Sequence, residues 1–385
     1  MTPAARMSAA IEVLDRILAG APAEQALTNW GRASRFAGSG DRSAVRDLVY
    51  DALRCRRSYA AWGGADTGRG LMLGALRAAG TDPATLFTGL AHAPAPEHAG
   101  ESGAAPVGAA ALDLPDWLLP RLEAALGPDL RPVALALRER APVFLRVNLR
   151  RATPAQAIAA LQADGVEAVA HHLAETALLV TSGARKVQSG QAYLSGLVEL
   201  QDAASQAVVS ALPLQDGMRV LDHCAGGGGK TLAMAARANL SLFAHDVSPS
   251  RMRDLPQRAA RAKVKVTLTD HPESLAPFDL VLADAPCSGS GSWRRDPQGK
   301  WALTPERLTQ ITAVQDQILD RIAPMVAPQG VLAYVTCSLL QEENEDRIAA
   351  FLARHPDWQL IQSQRFTPLS GGDGFFAAQL TQMRR

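Results

Sequence analysis

The chain has 385 residues, 47% of them hydrophobic, and 39 Lys and Arg against 38 Asp and Glu give a formal net charge of +1. This length predicts two or three domains with sizeable cores; no apolar run approaches the ~18 residues of a membrane span. Cys55, Cys224, Cys287 and Cys337 are widely spaced with no C-x-x-C pair, which argues against a disulfide framework or a metal site and for free thiols in a reducing cytoplasm.

At the N-terminus, "MTPAARMSAAIEVLDRILAG" carries acidic residues inside its apolar stretch, so it reads as an amphipathic helix rather than a signal peptide. Residues 1–90 are expected to be all-α, with apolar positions at helical spacing again in "AVRDLVYDALRCRRSYAAW". Arg42, Arg46, Arg54, Arg56 and Arg57 there form either a solvated charged face or an RNA-facing patch. All but five of the chain's basic residues are arginine, which suits phosphate contact and which codon bias also produces. Residues 91–140 read as a linker with connecting helices, opening on the Ala-, Pro- and Gly-rich "AHAPAPEHAGESGAAPVGAAALDLP". Residues 141–195 read as a small α/β module. "VFLRVN", "VEAVAHH" and "ALLVTSG" are strand-like, and a helix opens at Thr153-Pro154 and stops at Gly165. The module lacks the aromatic strand motif of a base-stacking RNA module.

Over residues 196–385, strands and helices alternate, the sign of a doubly wound α/β fold with a mostly parallel, Rossmann-like sheet. Five strands end in "MRVLDHCAG", "LSLFAHD", "VKVTLTD", "FDLVLADAPC" and "GVLAYVTCS", and the tail "DWQLIQSQRFTPLSGGDGFFAAQL" reads as a final strand pair. The loop "LDHCAGGGGKT" is not a P-loop, because Cys224 stands where the first glycine belongs, and the G-x-G-x-x-G spacing fails as well. Asp222, Asp246, Asp270 and Asp284 lie in or near the first four strand ends, where ligands of such sheets bind. Asp246 is spaced to accept ribose hydroxyls, and Asp270 to reach an adenine amino group. A nucleoside with little need for phosphate chelation is implied, and S-adenosylmethionine fits. Cys287 and Cys337 follow strands four and five, so both thiols face one pocket if those strands are neighbours. Adding a thiolate to carbon 6 of a pyrimidine makes carbon 5 nucleophilic enough to take a methyl group. Asp284 is then placed to serve ring nitrogen 3. The chemistry does not choose between the two thiols.

"LDHCAGGGGKT", "HDVSPSR", "LADAPCSGSGSWRRDP", "YVTCSLLQEENE" and "DGFFAAQL", with "VELQDAASQ" upstream, resemble the Sun/Fmu-type RNA (cytosine-5) methyltransferases. The arrangement is similar to the bacterial ribosomal RNA branch, in which a NusB-like all-α RNA-binding domain and an RRM-like module precede a class I methyltransferase domain. The resemblance implies that Cys224, Ala225, Gly226, Gly227, Gly228, Gly229 and Lys230 cradle the methionine part of S-adenosylmethionine. It assigns the ribose to Asp246, with Arg251 beside it, and the adenine to Asp270. Asp284 would sit near the methyl group and base, Cys337 would be the nucleophile, and Cys287 would assist release. The family loop reads C-A-A-P-G-G-K; here Gly226-Gly227 replace Ala-Pro, which makes the free loop more flexible. The implied partner is RNA, from the small ribosomal subunit or its precursor, acted on in the cytoplasm by a monomer with no metal or membrane; transfer RNA, or a non-catalytic role in ribosome assembly, are the alternatives. Two basic clusters are candidates for RNA contact: Arg251, Arg253, Arg258, Arg261, Lys263 and Lys265 in one, and Arg294, Arg295 and Lys300 with two tryptophans in "SWRRDPQGKW". The target cytosine must be unstacked for attack at carbon 6.

Overall fold

Five helices open the chain in the computed structural model, which describes residues 1–383: Pro3–Leu18, Ala23–Ala33, Ser39–Arg54, Arg56–Gly63 and Gly68–Ala78. The first begins where Thr2 accepts from the Ala5 amide at 3.1 Å, with proline in the first turn. Met7, Ala10, Val13, Leu14 and Ile17, three or four residues apart or adjacent, form one buried stripe. They join Val45, Val49, Leu53, Leu71 and Leu73 in a single apolar core. The arginines of this region pair with acids of other helices and loops: Arg46 with Glu24 at 2.6 Å, Arg56 with Asp66 at 2.7 Å and Arg57 with Asp116 at 2.7 Å. Arg54 is buried and Arg42 donates to the Ala37 carbonyl at 3.1 Å. These arginines are paired within the chain, and Arg42 and Arg46 remain exposed.

A distant segment completes this unit. Met1–Arg140 and Trp293–Leu303 form one compact body, and Ala141–Ser292 with the chain from Thr304 onward forms the other. Helix ends leave backbone groups without intrahelical partners, and the segment supplies partners for three such groups. Lys300 donates to the Arg54 carbonyl at 3.0 Å and Trp301 Nε1 to the Leu53 carbonyl at 2.7 Å, both at the C-terminal end of Ser39–Arg54. The cation there also suits the helix dipole. Gln298 accepts from the Ala23 amide at 2.8 Å, at the N-terminus of Ala23–Ala33. Trp293, Arg294 and Lys300 are buried. The expectation that "SWRRDPQGKW" faces RNA is therefore corrected: within it only Arg295 and Asp296 are exposed.

The second unit holds two sheets. The smaller is antiparallel, in the order β2-β3-β1-β4, from β1 (Phe144–Val147), β2 (Glu167–Ala170), β3 (Ala177–Ser182) and β4 (Val198–Leu200). The helix Pro154–Ala163 covers one face, capped by Thr153, which accepts from Gln156 while the Gln156 side chain accepts from Thr153. Gly165 follows its end with φ of +72°. The larger sheet runs β10-β11-β9-β8-β5-β6-β7, built from β5 (Arg219–Asp222), β6 (Ser241–Ala244), β7 (Thr267–Leu268), β8 (Phe278–Asp284), β9 (Val326–Thr336), β10 (Trp358–Phe366) and β11 (Phe375–Gln382). β7, β6, β5, β8 and β9 are parallel, while β11 and β10 are antiparallel additions at one edge. Leu280–Ala283 and Leu332–Val335 are wholly buried, the pattern of strands covered on both faces. Chain order runs outward from β5 to β6 and β7, then returns to β8 on the other side of β5. That reversal opens a crevice beyond the carboxyl ends of β5 and β8.

Candidate active site

The glycine loop leaves β5 at Asp222 and enters the helix Gly229–Arg237. Gly226 and Gly228 have φ of +50° and +78°, where side chains other than glycine are disfavoured. A Cβ on Gly228 would lie 2.1 Å from Leu255 Cδ1, whereas one on Gly226 would meet nothing within 4 Å. The loop is therefore packed on one side and open on the other. Asp246, just past β6, accepts from the Gly226 amide at 3.0 Å through one oxygen and from the Ser248 amide at 3.0 Å through the other. Arg251 stands 3.5 Å from the same carboxylate. Asp222 accepts from the Thr231 hydroxyl at 2.6 Å, and its other oxygen has no hydrogen-bond partner among the described residues. Burial pushes the Asp222 carboxyl up to about 7, against the pull of the Thr231 hydrogen bond.

Lys230 is bonded to Asp284 at 2.7 Å, and its ammonium lies 4.9 Å from the centre of the Phe375 ring. Burial disfavours the Lys230 charge, but Asp284 outweighs that and lifts it above the ordinary lysine range. Because β8 and β9 are neighbours, Cys287 and Cys337 meet, with their sulfurs 3.3 Å apart. The hydrogen bond with Cys337 and then burial push the Cys287 thiol well above its ordinary range. Burial also raises the half-buried Cys224 thiol, whose place is in the loop and away from this pair. Asp270 is exposed just past β7, a strand of only two residues, and is not joined to the others.

Four supports have no signature in the sequence. Arg146 on β1 is buried and donates to the Gly229 carbonyl at 2.7 Å and to Gln201 at 2.6 Å, fixing the loop's exit from the smaller sheet. Arg258 donates to the Gly227 carbonyl, and Arg261 pairs with Glu199 at 2.8 Å, so two members of the first basic cluster are structural. Glu343 is wholly buried and accepts from Ser288 and Ser338, the residues that follow the two cysteines. Only spatial neighbours reveal these roles, since apart from Ser338 the partners are far apart in the chain.

Residues 209–381 match the family described as 16S rRNA methyltransferase RsmB/F, and residues 114–188 match the RsmF/B-like, ferredoxin-like domain. Ribosomal RNA small subunit methyltransferase B of Cronobacter sakazakii is 36% identical over 282 residues, which are 69% of this chain and 66% of that protein. The chain belongs to the RsmB/F family of RNA methyltransferases. The fold of the RsmB/F-type chain is shared by solved structures. The crystal structure of PH0851 covers 99% of each chain with a TM-score of 0.76 at 22% identity. That of NSun6 from Pyrococcus horikoshii with SFG has a TM-score of 0.61 at 17% identity and covers 71% of this chain and 99% of its own.

Proposed function

We propose that this chain methylates carbon 5 of a cytosine in small-subunit ribosomal RNA, using S-adenosylmethionine and a covalent adduct between Cys337 and carbon 6 of the base. One observation carries the reading: two thiols from adjacent strand ends stand 3.3 Å apart. Methylation of an exocyclic amine has no use for such a pair; methylation of a pyrimidine carbon does.

The loop residues fit the cofactor. The partnerless oxygen of buried Asp222 suits an ammonium group, the open side of Gly226 leaves room for a ligand against the backbone, and Asp246 suits ribose hydroxyls. Bound there, S-adenosylmethionine supplies an electrophilic methyl group on a sulfonium. Asp270 is assigned to the adenine from its place past β7. SFG, an S-adenosylmethionine analogue, is present with the related NSun6. Cys337 adds to carbon 6 as a thiolate, and the charge this places on the ring falls beside the Lys230–Asp284 pair. After carbon 5 is methylated it gives up its proton to solvent, the C5–H electron pair re-forms the C5–C6 double bond, and the C6–S bond breaks to release Cys337 as a thiolate. The family resemblance assigns Cys287 to release; Cys337 and burial raise its thiol, which suits it to return a proton to the departing Cys337. Ribosomal RNA as the substrate follows the name of the curated relative.

The test uses Cys287→Ala with S-adenosylmethionine and total RNA from cells lacking the protein. An RNA-linked band on a denaturing gel is expected, absent from Cys287→Ala/Cys337→Ala, and sequencing the trapped RNA identifies its class and position. A band that survives loss of Cys337 overturns the choice of nucleophile. If no band forms on free RNA or on immature small subunits, although the protein binds S-adenosylmethionine, the two-thiol mechanism is wrong.

A further inference from the structure

Both cysteine loops converge on one side chain. Glu343 lies in the turn between β9 and the helix Glu345–Arg354 and is 0% exposed. Its Oε1 accepts from the Ser288 amide at 2.7 Å and from Gln315 Nε2 at 3.2 Å. Its Oε2 accepts from the Ser288 hydroxyl and from the Ser338 hydroxyl, each at 2.5 Å. Ser288 follows Cys287 and Ser338 follows Cys337, so one carboxylate is shared by the two loops, one residue from each sulfur.

The surroundings hold Glu343 in place. Tyr334 on β9 donates its hydroxyl to the Glu343 carbonyl at 2.7 Å, and Asn344 bonds Thr336 at 2.5 Å and the Ser338 carbonyl at 3.0 Å. Gln315 also donates to the Pro286 carbonyl at 2.9 Å, tying the helix Pro305–Ile322 to the loop that carries Cys287. A deprotonated carboxylate accepts all four donors; a protonated one has to turn one oxygen into a donor. Burial raises the Glu343 carboxyl, and the donors from Ser288 and Ser338 pull against that. A buried carboxylate interacts strongly with nearby charge in a medium of low dielectric.

We propose that Glu343 is a positioning residue that clamps the Cys287 and Cys337 loops against each other and, through its charge, keeps Cys287 in the thiol form. The role rests on the methyltransferase reading above, since it divides the two cysteines into one that adds to the base and one that serves release. Cys337, the amide of Gly289 and the Tyr334 hydroxyl also act on Cys287. Lys230 and Asp284 stand on the Cys337 side, while Tyr334 and the Arg347–Asp316 pair lie around Glu343 and its helices.

Glu343→Gln removes the charge and keeps the shape, and serine hydroxyls can rotate to accept from the new amide. The first readout needs no RNA: the pH dependence of iodoacetamide labelling at Cys287, followed on its own peptide by mass spectrometry in the full chain. Labelling at pH 7 is expected to rise severalfold, as loss of the neighbouring negative charge favours the thiolate. The second readout is turnover: RNA-linked protein is expected to accumulate in Glu343→Gln as it does in Cys287→Ala. An unchanged labelling profile in a folded Glu343→Gln protein overturns the proposal, whatever the RNA assay gives. Faster labelling without adduct accumulation overturns only the assignment to release. Should Glu343→Gln fail to fold, Ser338→Ala removes one arm of the clamp and keeps the charge. Labelling of Cys287 is then expected to stay slow while turnover falls, and unchanged turnover overturns the clamp.

Discussion

Asp222 is the residue whose burial and missing partner make the clearest prediction at the scale of one side chain. Its carboxyl titrates at about 7 in the folded chain and near 3.8 when exposed. Between those values the folded state holds a proton that the unfolded state has released. Stability therefore falls as pH rises from about 4 to about 7, by an amount on the order of a few kcal/mol. Asp222→Asn removes that term, so its urea midpoint is expected to fall less than that of the parent chain between pH 5 and pH 8. Equal falls in both proteins would assign the pH dependence to another group. An arriving ammonium favours the ionised carboxylate, so affinity for S-adenosylmethionine is expected to weaken below pH 7 in the parent and to lose that dependence in the variant. Calorimetric titration at two pH values checks it.

At the scale of elements, the glycine loop separates conformation from packing. Gly228→Ala places a Cβ at positive φ and against Leu255, a buried residue in the cluster around Ala225 and Met252. Strain and overpacking together are expected to cost roughly 2–4 kcal/mol. Gly226→Ala has the strain without the clash and is expected to cost roughly 1–2 kcal/mol. Urea unfolding of both variants tests this, and equal losses would mean that Leu255 yields. The same elements show what a sequence can reveal. The positions of the loop, of Asp222, Asp246 and Asp284 and of the two thiols were legible because each sits at the exit of its own strand, whereas Asp270, past a strand of two residues, is not brought to them. Glu343 was not legible, because, Ser338 apart, its donors come from 28 and 55 residues away in Gln315 and Ser288. The pairing of the arginines in Ser39–Arg54 was illegible for a related reason: an ion-paired arginine and an unpaired one have the same local sequence, and Glu24 lies 22 residues from Arg46.

For the whole molecule, the informative fact is which residues belong together. "SWRRDPQGKW" has the Trp and basic composition of an RNA-binding stretch, and it is part of the core of a helical body that otherwise ends at Arg140. Trp293 and Lys300 are each 1% exposed there. A fragment of residues 1–140 is therefore expected to lack cooperative unfolding and slow amide exchange in Ser39–Arg54, both of which the full chain should show. A fragment as protected as the full chain would make the segment dispensable.

During synthesis, that same connectivity becomes a matter of timing. The helical body leaves the ribosome first, but Lys300, Trp301 and Gln298 follow roughly 150 residues later, a delay on the order of ten seconds at roughly 5–20 residues per second. For that interval the carbonyls of Leu53 and Arg54 and the amide of Ala23 face water or a chaperone, and the nascent helical body stays open to proteases. Chains arrested before residue 293 should be cut in the helical body, and chains whose residue 303 has cleared the exit tunnel should resist.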